Sequence, residues 1–233
     1  MSVFKFKHFQ ISQEHAALKV GTDSMILGSL CHWGNPARLL DIGTGTGVLS
    51  LMCAQRFAFR EITGLEISEQ AVLDARTNAQ NNPFPSPISI VHQPIQEYQA
   101  AELFDAIISN PPFFENSQKN PDVHKSLARH TESLSFTELI AAISRLLTPN
   151  GKAWIIVPFE STWNIVQLAK EHQLYALELI TLFGKPEKPT RMILSLGKQE
   201  QKIKTSSLCI RTESGAYTEA YKTLTREFHD RIL

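Results

Sequence analysis

An apolar strand, a glycine-rich turn and an apolar helix follow one another between residues 38 and 55. The strand Arg38-Leu39-Leu40 leads into Asp41-Ile42-Gly43-Thr44-Gly45-Thr46-Gly47, and residues 48–55 continue as a helix. Glycine allows the positive φ angles of a tight turn and lets a ligand approach the backbone closely. Predicted strands and helices keep alternating up to residue 157, which is typical of a doubly wound α/β fold.

The order of the predicted strands indicates a mostly parallel, seven-stranded sheet with an antiparallel last strand. Strands at residues 174–182 and 191–196 are joined by a short loop at 184–189, rich in lysine and proline. A loop of that length forms a hairpin, because parallel strands need a longer crossover. The chain of 233 residues is expected to form one domain, residues 1–233, with an N-terminal extension (1–34), a core (35–197) and a C-terminal strand and helix (198–233).

Composition excludes several classes of protein. The formal net charge is zero, which argues against a protein that grips long duplexes by charge alone, because phosphate neutralisation needs a basic surplus. Three widely spaced cysteines in apolar contexts predict reduced thiols in a cytoplasmic protein without disulfides. The eight histidines lack metal-ligand spacing, so no metal is expected. No segment reaches about 18 apolar residues, so neither export nor a membrane span is expected.

The spacing of the glycine turn favours S-adenosylmethionine over a dinucleotide. A dinucleotide fingerprint reads G-x-G-x-x-G and holds a pyrophosphate on the turn amides. This turn reads G-x-G-x-G, and Asp41 stands ahead of the first glycine. A carboxylate there would repel a pyrophosphate but suits the ammonium and sulfonium cations of S-adenosylmethionine. Many glycine-rich turns bind nothing, so the interpretation needs a second signal.

That second signal is an acidic residue on the next predicted strand. Residues 61–67 read as a strand that carries Glu66, twenty-five residues after Asp41. An acidic residue at this strand tip can accept hydrogen bonds from both ribose hydroxyls of a nucleoside. Without the glycine turn, a solvated strand-end glutamate would be the better interpretation. With the turn present, the pair predicts a nucleoside site.

The tetrad Asn110-Pro111-Pro112-Phe113 follows the apolar run at residues 104–108. Two prolines fix φ at about −65° and remove two backbone donors, so this strand tip mostly accepts hydrogen bonds. The Asn110 side-chain oxygen and the Pro111 carbonyl can together hold a planar NH₂ group, and the Phe113 ring can stack on a flat base. Asn-Pro also begins ordinary turns, so the tetrad takes its meaning from the motifs upstream.

Two further segments flank these motifs. Residues 20–23 precede an apolar helix predicted at residues 25–31, and Thr22 or Asp23 can cap that helix. The same loop is expected to cover the cofactor. Residues 115–130 directly follow the tetrad and contain few apolar residues, so they read either as a substrate lid with cations for phosphate or as a surface loop.

In this combination the motifs resemble those of class I S-adenosylmethionine-dependent methyltransferases that act on planar nitrogen. More narrowly, the chain resembles the bacterial tRNA(Val) (adenine(37)-N6)-methyltransferase family, which modifies the adenine just 3′ of the anticodon. The narrower resemblance covers essentially the whole chain. It rests on Lys19-Val20-Gly21-Thr22-Asp23, Ser109-Asn110-Pro111-Pro112-Phe113 and Leu224-Thr225-Arg226-Glu227-Phe228.

The resemblance implies a role for each matching residue. The residues expected to bind S-adenosyl-L-methionine are Thr22, Asp23, Asp41, Gly43, Thr44, Gly45, Gly47, Glu66, Ile67 and Ile95. Among them, Glu66 would take the ribose hydroxyls, and Ile67 and Ile95 would sandwich the adenine. The expected catalytic residues are Asn110, Pro111, Pro112 and Phe113. The implied partner is the anticodon loop of a tRNA, with no obligate protein partner.

One position departs from the usual pattern, and other functions stay open. Methyltransferases of this architecture usually carry an aspartate for the adenine amine where this chain has Pro94, so Gln93 or the Ile95 backbone would have to replace it. The Asn-Pro-Pro-aromatic motif also serves enzymes that act on DNA adenine, rRNA guanine N2 or the release-factor glutamine amide. A non-catalytic cofactor-binding scaffold is disfavoured by the intact tetrad, and an oxidoreductase by the glycine spacing and the antiparallel strand.

Overall fold

The computed structural model describes residues 2–111 and 134–230. Within these ranges the helices are α1 (Thr22–Leu30), α2 (Val48–Arg56), α3 (Glu69–Gln80), α4 (Phe136–Leu146), α5 (Thr162–Glu171) and α6 (Glu219–Thr225), with a 3₁₀ helix at Phe159–Ser161. The strands are β1 (Val3–Lys5), β2 (Gln10–Ser12), β3 (Arg38–Ile42), β4 (Glu61–Glu66), β5 (Ile88–His92), β6 (Phe104–Ser109), β7 (Leu147–Pro158), β8 (Tyr175–Phe183), β9 (Pro189–Gly197) and β10 (Lys204–Cys209).

The main sheet has the strand order β10-β8-β9-β7-β6-β3-β4-β5. Strand β9 is antiparallel to β7 and β8, and the other neighbouring pairs are parallel. The predicted mostly parallel α/β fold is therefore confirmed, and β9 is the last of the seven strands expected. Within residues 2–111 and 134–230 the sheet nevertheless has eight strands. Strand β10 adds to it by pairing in parallel with β8, whose outer edge would otherwise leave its backbone groups unpaired.

Helices cover both faces of the sheet over two separate apolar cores. Successive residues of a strand belong alternately to one core and to the other, because side chains along a strand point to opposite faces of the sheet. Leu39 and Ile108 belong to the core that includes α1 and α2, whereas Leu40 and Ile107 belong to the core that includes α4. None of the helices in the described ranges has the length and hydropathy needed to cross a membrane.

The N-terminal segment forms a separate hairpin of β1 and β2. The rings of Phe6 and Phe9 stack with their centroids 4.2 Å apart, and the Phe228 ring meets Phe6 edge-on at 6.3 Å. The backbone N–H of Lys7 donates to the Phe228 carbonyl at 2.9 Å. This hairpin therefore joins the two ends of the described chain. The organisation of residues 1–233 as one domain stays a prediction.

Candidate active site

The carboxyl ends of three neighbouring strands meet at one edge of the sheet. Strand β3 pairs in parallel with both β4 and β6, and the three strands end at Ile42, Glu66 and Ser109. In open α/β sheets, ligands bind outside this edge. The glycine turn that follows β3, the Glu66 carboxylate and Asn110 therefore lie along one edge.

The glycine turn leaves an open cradle above β3. Gly43 and Gly45 have φ angles of 68° and 58°, which residues with a Cβ rarely adopt. A Cβ at either position would meet no atom of the described residues within 4 Å, so both glycines face open space. The Thr44 N–H donates to the Leu65 carbonyl at 2.9 Å, which fixes the turn to β4. A ligand as large as S-adenosylmethionine can approach this backbone closely.

Asp41 lies beneath the turn and not in the cradle. The residue is fully buried, because it is still part of β3. Its Oδ2 accepts hydrogen bonds from Thr44 Oγ1 at 2.6 Å, Ser50 Oγ at 2.8 Å and Ser50 N at 3.1 Å. Its Oδ1 has no partner among the residues that the structure describes. Asp41 and Thr44 both support the turn from below, and their predicted place in the cofactor site stays a prediction.

Burial also changes the proton affinity of this carboxylate. It raises the pKa of Asp41 from 3.8 to about 6, against the opposing effect of the hydrogen bonds from Thr44 and Ser50. The charge of Glu66 raises the pKa further. A cation in the cradle would favour the ionised form, because it would lie near a carboxylate that water does not reach. The orphaned Oδ1 and the open turn both fit a positively charged ligand.

Glu66 connects the glycine turn to the loop after β4. Its Oε2 accepts a hydrogen bond from Gly45 N at 2.8 Å. Its Oε1 accepts from the backbone N–H groups of Ile67 and Ser68, both at 2.9 Å. A carboxylate offers about four lone-pair sites, so after these three hydrogen bonds about one site remains for a ribose hydroxyl. The predicted ribose contact of Glu66 stays a prediction, and the structure adds this bridging role.

The two isoleucines expected beside the adenine differ in exposure. Ile67 is 39% exposed at the sheet edge, whereas Ile95 is only 5% exposed and packs in the α4-side core. The Ile95 carbonyl also accepts a hydrogen bond from Arg145 Nη2 at 3.0 Å. Ile67 therefore offers the larger apolar surface, and the adenine sandwich between the two isoleucines stays a prediction. Gln93 is half-buried, and its backbone N–H donates to the Glu66 carbonyl at 3.1 Å.

Asn110 follows β6 with its side-chain amide held in one orientation. Its Nδ2 donates to Ser24 Oγ of α1 at 2.9 Å. No donor among the described residues bonds to its Oδ1. Pro111 is buried directly behind it. Pro112, Phe113 and the predicted lid at residues 115–130 lie outside the described residues, and their predicted roles stay predictions.

The N-terminus of α1 is not capped in the way that the sequence predicted. Gly21 is the N-cap residue, and no side chain caps the helix. Thr22 is exposed, and Asp23 forms an ion pair with Arg191 of β9, with 2.9 Å between Oδ2 and Nε. The capping prediction for Thr22 and Asp23 is therefore wrong, because both residues are already inside the helix. Their expected place near the cofactor stays a prediction.

Helix α3 contributes two buried residues that the sequence analysis missed. Asn78 Nδ2 donates to the carbonyls of Thr46 and Ser12, both at 2.8 Å, so it joins the glycine turn to β2. Asp74 accepts hydrogen bonds from the N–H groups of His15 and Ala16, both at 2.8 Å. Burial acts to raise the pKa of Asp74, but these bonds and that of the His15 ring together lower it. The signal was a polar pair four residues apart on the buried face of a helix.

Acidic and histidine side chains do not gather into a metal centre in this part of the chain. Residues 2–111 and 134–230 contain no group of three or more His, Cys, Asp or Glu side chains that could hold a metal ion. At the candidate site, Glu66 bonds to backbone N–H groups and Asp23 to Arg191. The described site therefore presents hydrogen-bond acceptors and open backbone.

Known proteins match the chain over nearly its full length. Residues 16–164 match the methyltransferase small domain family. The tRNA1(Val) (adenine(37)-N6)-methyltransferase of Pedobacter heparinus is 38% identical over 228 residues, which cover 97% of each chain. The enzyme of the same name from Pseudoalteromonas translucida is 36% identical, over 98% of this chain and 99% of its own.

A solved structure gives independent support for the fold. The crystal structure of protein Atu636 from Agrobacterium tumefaciens, described as a predicted O-methyltransferase, superposes with a TM-score of 0.70. It is 21% identical and covers 88% of this chain and 96% of that one, so the likeness concerns the fold alone. Fold and family together imply the use of S-adenosylmethionine. The chain belongs to the methyltransferase small domain family and, within it, to the family of the tRNA1(Val) (adenine(37)-N6)-methyltransferases.

Proposed function

We propose that this protein transfers the methyl group of S-adenosylmethionine to N6 of adenine 37 in the anticodon loop of a valine tRNA. The observation that carries the proposal is the Asn110 amide, whose oxygen is left available at the sheet edge that also holds the glycine cradle. The relatives named for this reaction share more than a third of the sequence over nearly the whole chain.

The cofactor side of the site is assigned to the backbone of the glycine turn and to two side chains beside it. The open backbone at Gly43 and Gly45 receives the methionine part of S-adenosylmethionine. The Glu66 carboxylate is the hydrogen-bond acceptor for the ribose. Ile67 contacts the adenine. Once bound, S-adenosylmethionine supplies an activated methyl group on a positively charged sulfur. The buried carboxylate of Asp41 keeps the turn in shape and contributes negative potential beneath that charge.

The target side of the site acts through hydrogen-bond acceptors. The N6 amine is a weak nucleophile, because its lone pair is delocalised into the purine ring. Asn110 Oδ1 and the Pro111 carbonyl accept its two protons, which favours a pyramidal nitrogen and stabilises the positive charge that develops during attack. The hydrogen bond to Ser24 holds the Asn110 amide before the reaction, so this acceptor need not reorient during it. The predicted stacking of the base on Phe113 completes the assignment.

The anticodon loop suits a chain with no net charge. A base in a single-stranded loop leaves its stack at a cost of a few kcal/mol or less, well below the cost in a duplex. Little phosphate neutralisation is then required, which agrees with equal numbers of basic and acidic side chains, 23 of each. The reaction is assigned to the cytoplasm, where tRNA is modified.

A labelled-methyl transfer assay tests the proposal. Wild-type protein is offered total tRNA, a valine tRNA transcript, the same transcript with guanine at position 37, rRNA, DNA and release factor. We expect transfer to tRNA and to the transcript, and none to the guanine-substituted transcript. Transfer to one of the other substrates alone would replace the proposed target, and transfer to none of them would refute the assignment of an enzyme.

Asn110→Ala tests the acceptor role in the same assay. We expect the rate to fall by about 100-fold or more, because an oxygen that stabilises transition-state charge is removed. Affinity for S-adenosylmethionine, measured by calorimetry, should stay nearly unchanged. Asn150→Ala is the control, since Asn150 is exposed near the opposite end of β7. Near-full turnover by Asn110→Ala would contradict the mechanism.

A further inference from the structure

Ser24 is a buried serine beside the candidate acceptor, and the proposed mechanism does not yet use it. It lies in the first turn of α1 and is 7% exposed. Its Oγ accepts the hydrogen bond from Asn110 Nδ2 at 2.9 Å, across 86 residues of sequence. The bond involves only the donor end of the Asn110 amide and leaves the oxygen end available.

The orientation of this amide decides what the site can bind. A carboxamide has a carbonyl oxygen that accepts and an NH₂ group that donates, and its terminal torsion allows two nearly equivalent orientations. In one orientation Asn110 offers an oxygen to an amine proton. In the flipped orientation it would turn its own NH₂ group toward the target NH₂ group, and neither could accept from the other. Activity therefore requires that the amide be held with its oxygen toward the target amine.

Helix α1 holds Ser24 in a fixed place. Met25, Ile26 and Leu27, directly after Ser24, are buried in the core shared with α2. Asp23, directly before it, forms an ion pair with Arg191 of β9 at 2.9 Å. The residues on either side of Ser24 are therefore held in place, one side by the core and the other by the main sheet.

We propose that Ser24 is a positioning residue that holds the Asn110 amide in place for the reaction. It does so by accepting a hydrogen bond from Nδ2, which keeps Oδ1 for the target amine. Ser24 itself does not touch the substrate. The inference deepens the proposed function and rests on it, because it concerns an acceptor for a planar NH₂ group.

Helix α1 offers a matched control for this test. Ser29 is also 7% exposed, and its Oγ donates to the Met25 carbonyl within the helix at 2.7 Å. Ser24→Ala and Ser29→Ala each delete one equally buried hydroxyl from the same helix. A general loss of helix stability would affect both variants alike, whereas loss of the amide contact concerns Ser24 alone.

We expect Ser24→Ala to lower kcat about tenfold, the effect of one lost hydrogen bond. KM for tRNA and the affinity for S-adenosylmethionine should stay within about twofold of wild type, because the contact acts on the reacting group and not on binding. Ser29→Ala should keep the wild-type kcat. A wild-type kcat in Ser24→Ala, or equal losses in both variants, would overturn the inference.

A second measurement does not depend on activity. The side-chain NH₂ signals of Asn110 can be identified in NMR spectra by their absence from Asn110→Ala. Their exchange with water should be slow in the wild type and in Ser29→Ala, and about tenfold or more faster in Ser24→Ala. Unchanged exchange in Ser24→Ala would refute the positioning role. If the wild type methylated no substrate, the proposed function would fail, and this measurement would still decide whether Ser24 orients the amide.

Discussion

Replacing Asp41 by asparagine tests the buried carboxylate beneath the glycine turn. Its pKa lies at about 6 in the folded protein against an ordinary value of 3.8, because burial disfavours the charged form. The difference is about two pKa units, each equivalent to about 1.4 kcal/mol. Ionised Asp41 therefore lowers the free energy of unfolding by about 3 kcal/mol at pH 8, relative to a pH below 3.8.

The sign follows from where the proton is held more tightly. Because the folded-state pKa is raised, the stabilising effect of protonated Asp41 is complete below pH 3.8 and is lost as the pH rises through about 6. The asparagine side chain of the Asp41→Asn variant does not titrate. The variant should therefore gain stability relative to the wild type as the pH rises, and about half of the 3 kcal/mol should appear between pH 5 and 8.

Urea unfolding at pH 5 and pH 8 measures this gain. The difference between variant and wild type is compared at the two pH values, so that all other titrating groups cancel. Glu138→Gln is the control, because the pKa of Glu138 is lowered by hydrogen bonds from Gln96 and Ser135, which do not titrate. Its stabilising effect is nearly complete above pH 5, so the Glu138→Gln difference should be nearly the same at pH 5 and 8. An Asp41→Asn difference that also stayed constant would refute the raised pKa.

Two further variants test the cofactor side of the site. Gly43→Val should abolish measurable binding of S-adenosylmethionine in calorimetry, because valine is strained at a φ of 68° and its side chain would fill the cradle; retained affinity would place the ligand elsewhere. Asn78→Ala should lower the free energy of unfolding by about 2 kcal/mol or more, since it leaves buried backbone groups of Ser12 and Thr46 unpaired. Asn81→Ala, at an exposed position after the same helix, should change it by less than about 0.5 kcal/mol, and equal losses would contradict this account.

Local patterns allowed much of the fold to be predicted. The strand, glycine turn and helix at residues 38–55 correspond to β3 and α2, because each is specified by neighbouring residues. The short loop after β8 correctly predicted an antiparallel β9. Strand β10 was predicted as a strand, but its parallel place beside β8 was not, since pairing between distant strands leaves no local signal.

The C-terminal helix shows how a distant contact can end a local pattern. The sequence predicted a helix in the C-terminal segment 198–233, and within that segment α6 ends at Thr225. Beyond it the backbone turns to the N-terminal hairpin, where the Phe228 carbonyl accepts from Lys7 N and His229 bridges to Phe6. Those backbone bonds and the burial of the Phe228 ring replace further helical turns.

The candidate site, like the fold, could be predicted only in part from the sequence. The motifs predicted the open backbone of the glycine turn and an acceptor at Asn110, because those positions need particular residue types. The acceptor role stays a prediction. The motifs did not locate the partners of these residues. Asp23 pairs with Arg191 across 168 residues instead of capping its own helix, and Asn110 pairs with Ser24 across 86. Such pairs depend on how helices dock on the sheet, which a single sequence does not reveal.

The N-terminal extension therefore has a larger part in the site than its position outside the core suggests. Its β2 strand bonds to Asn78, which also holds the Thr46 carbonyl of the glycine turn. Its helix α1 supplies Ser24, which holds the amide at the end of β6. One continuous segment, residues 12–24, thus supports both the glycine turn and the amide that we propose as the target acceptor. Because the methyl group must move in line between them, the segment that sets their relative position bears directly on the rate.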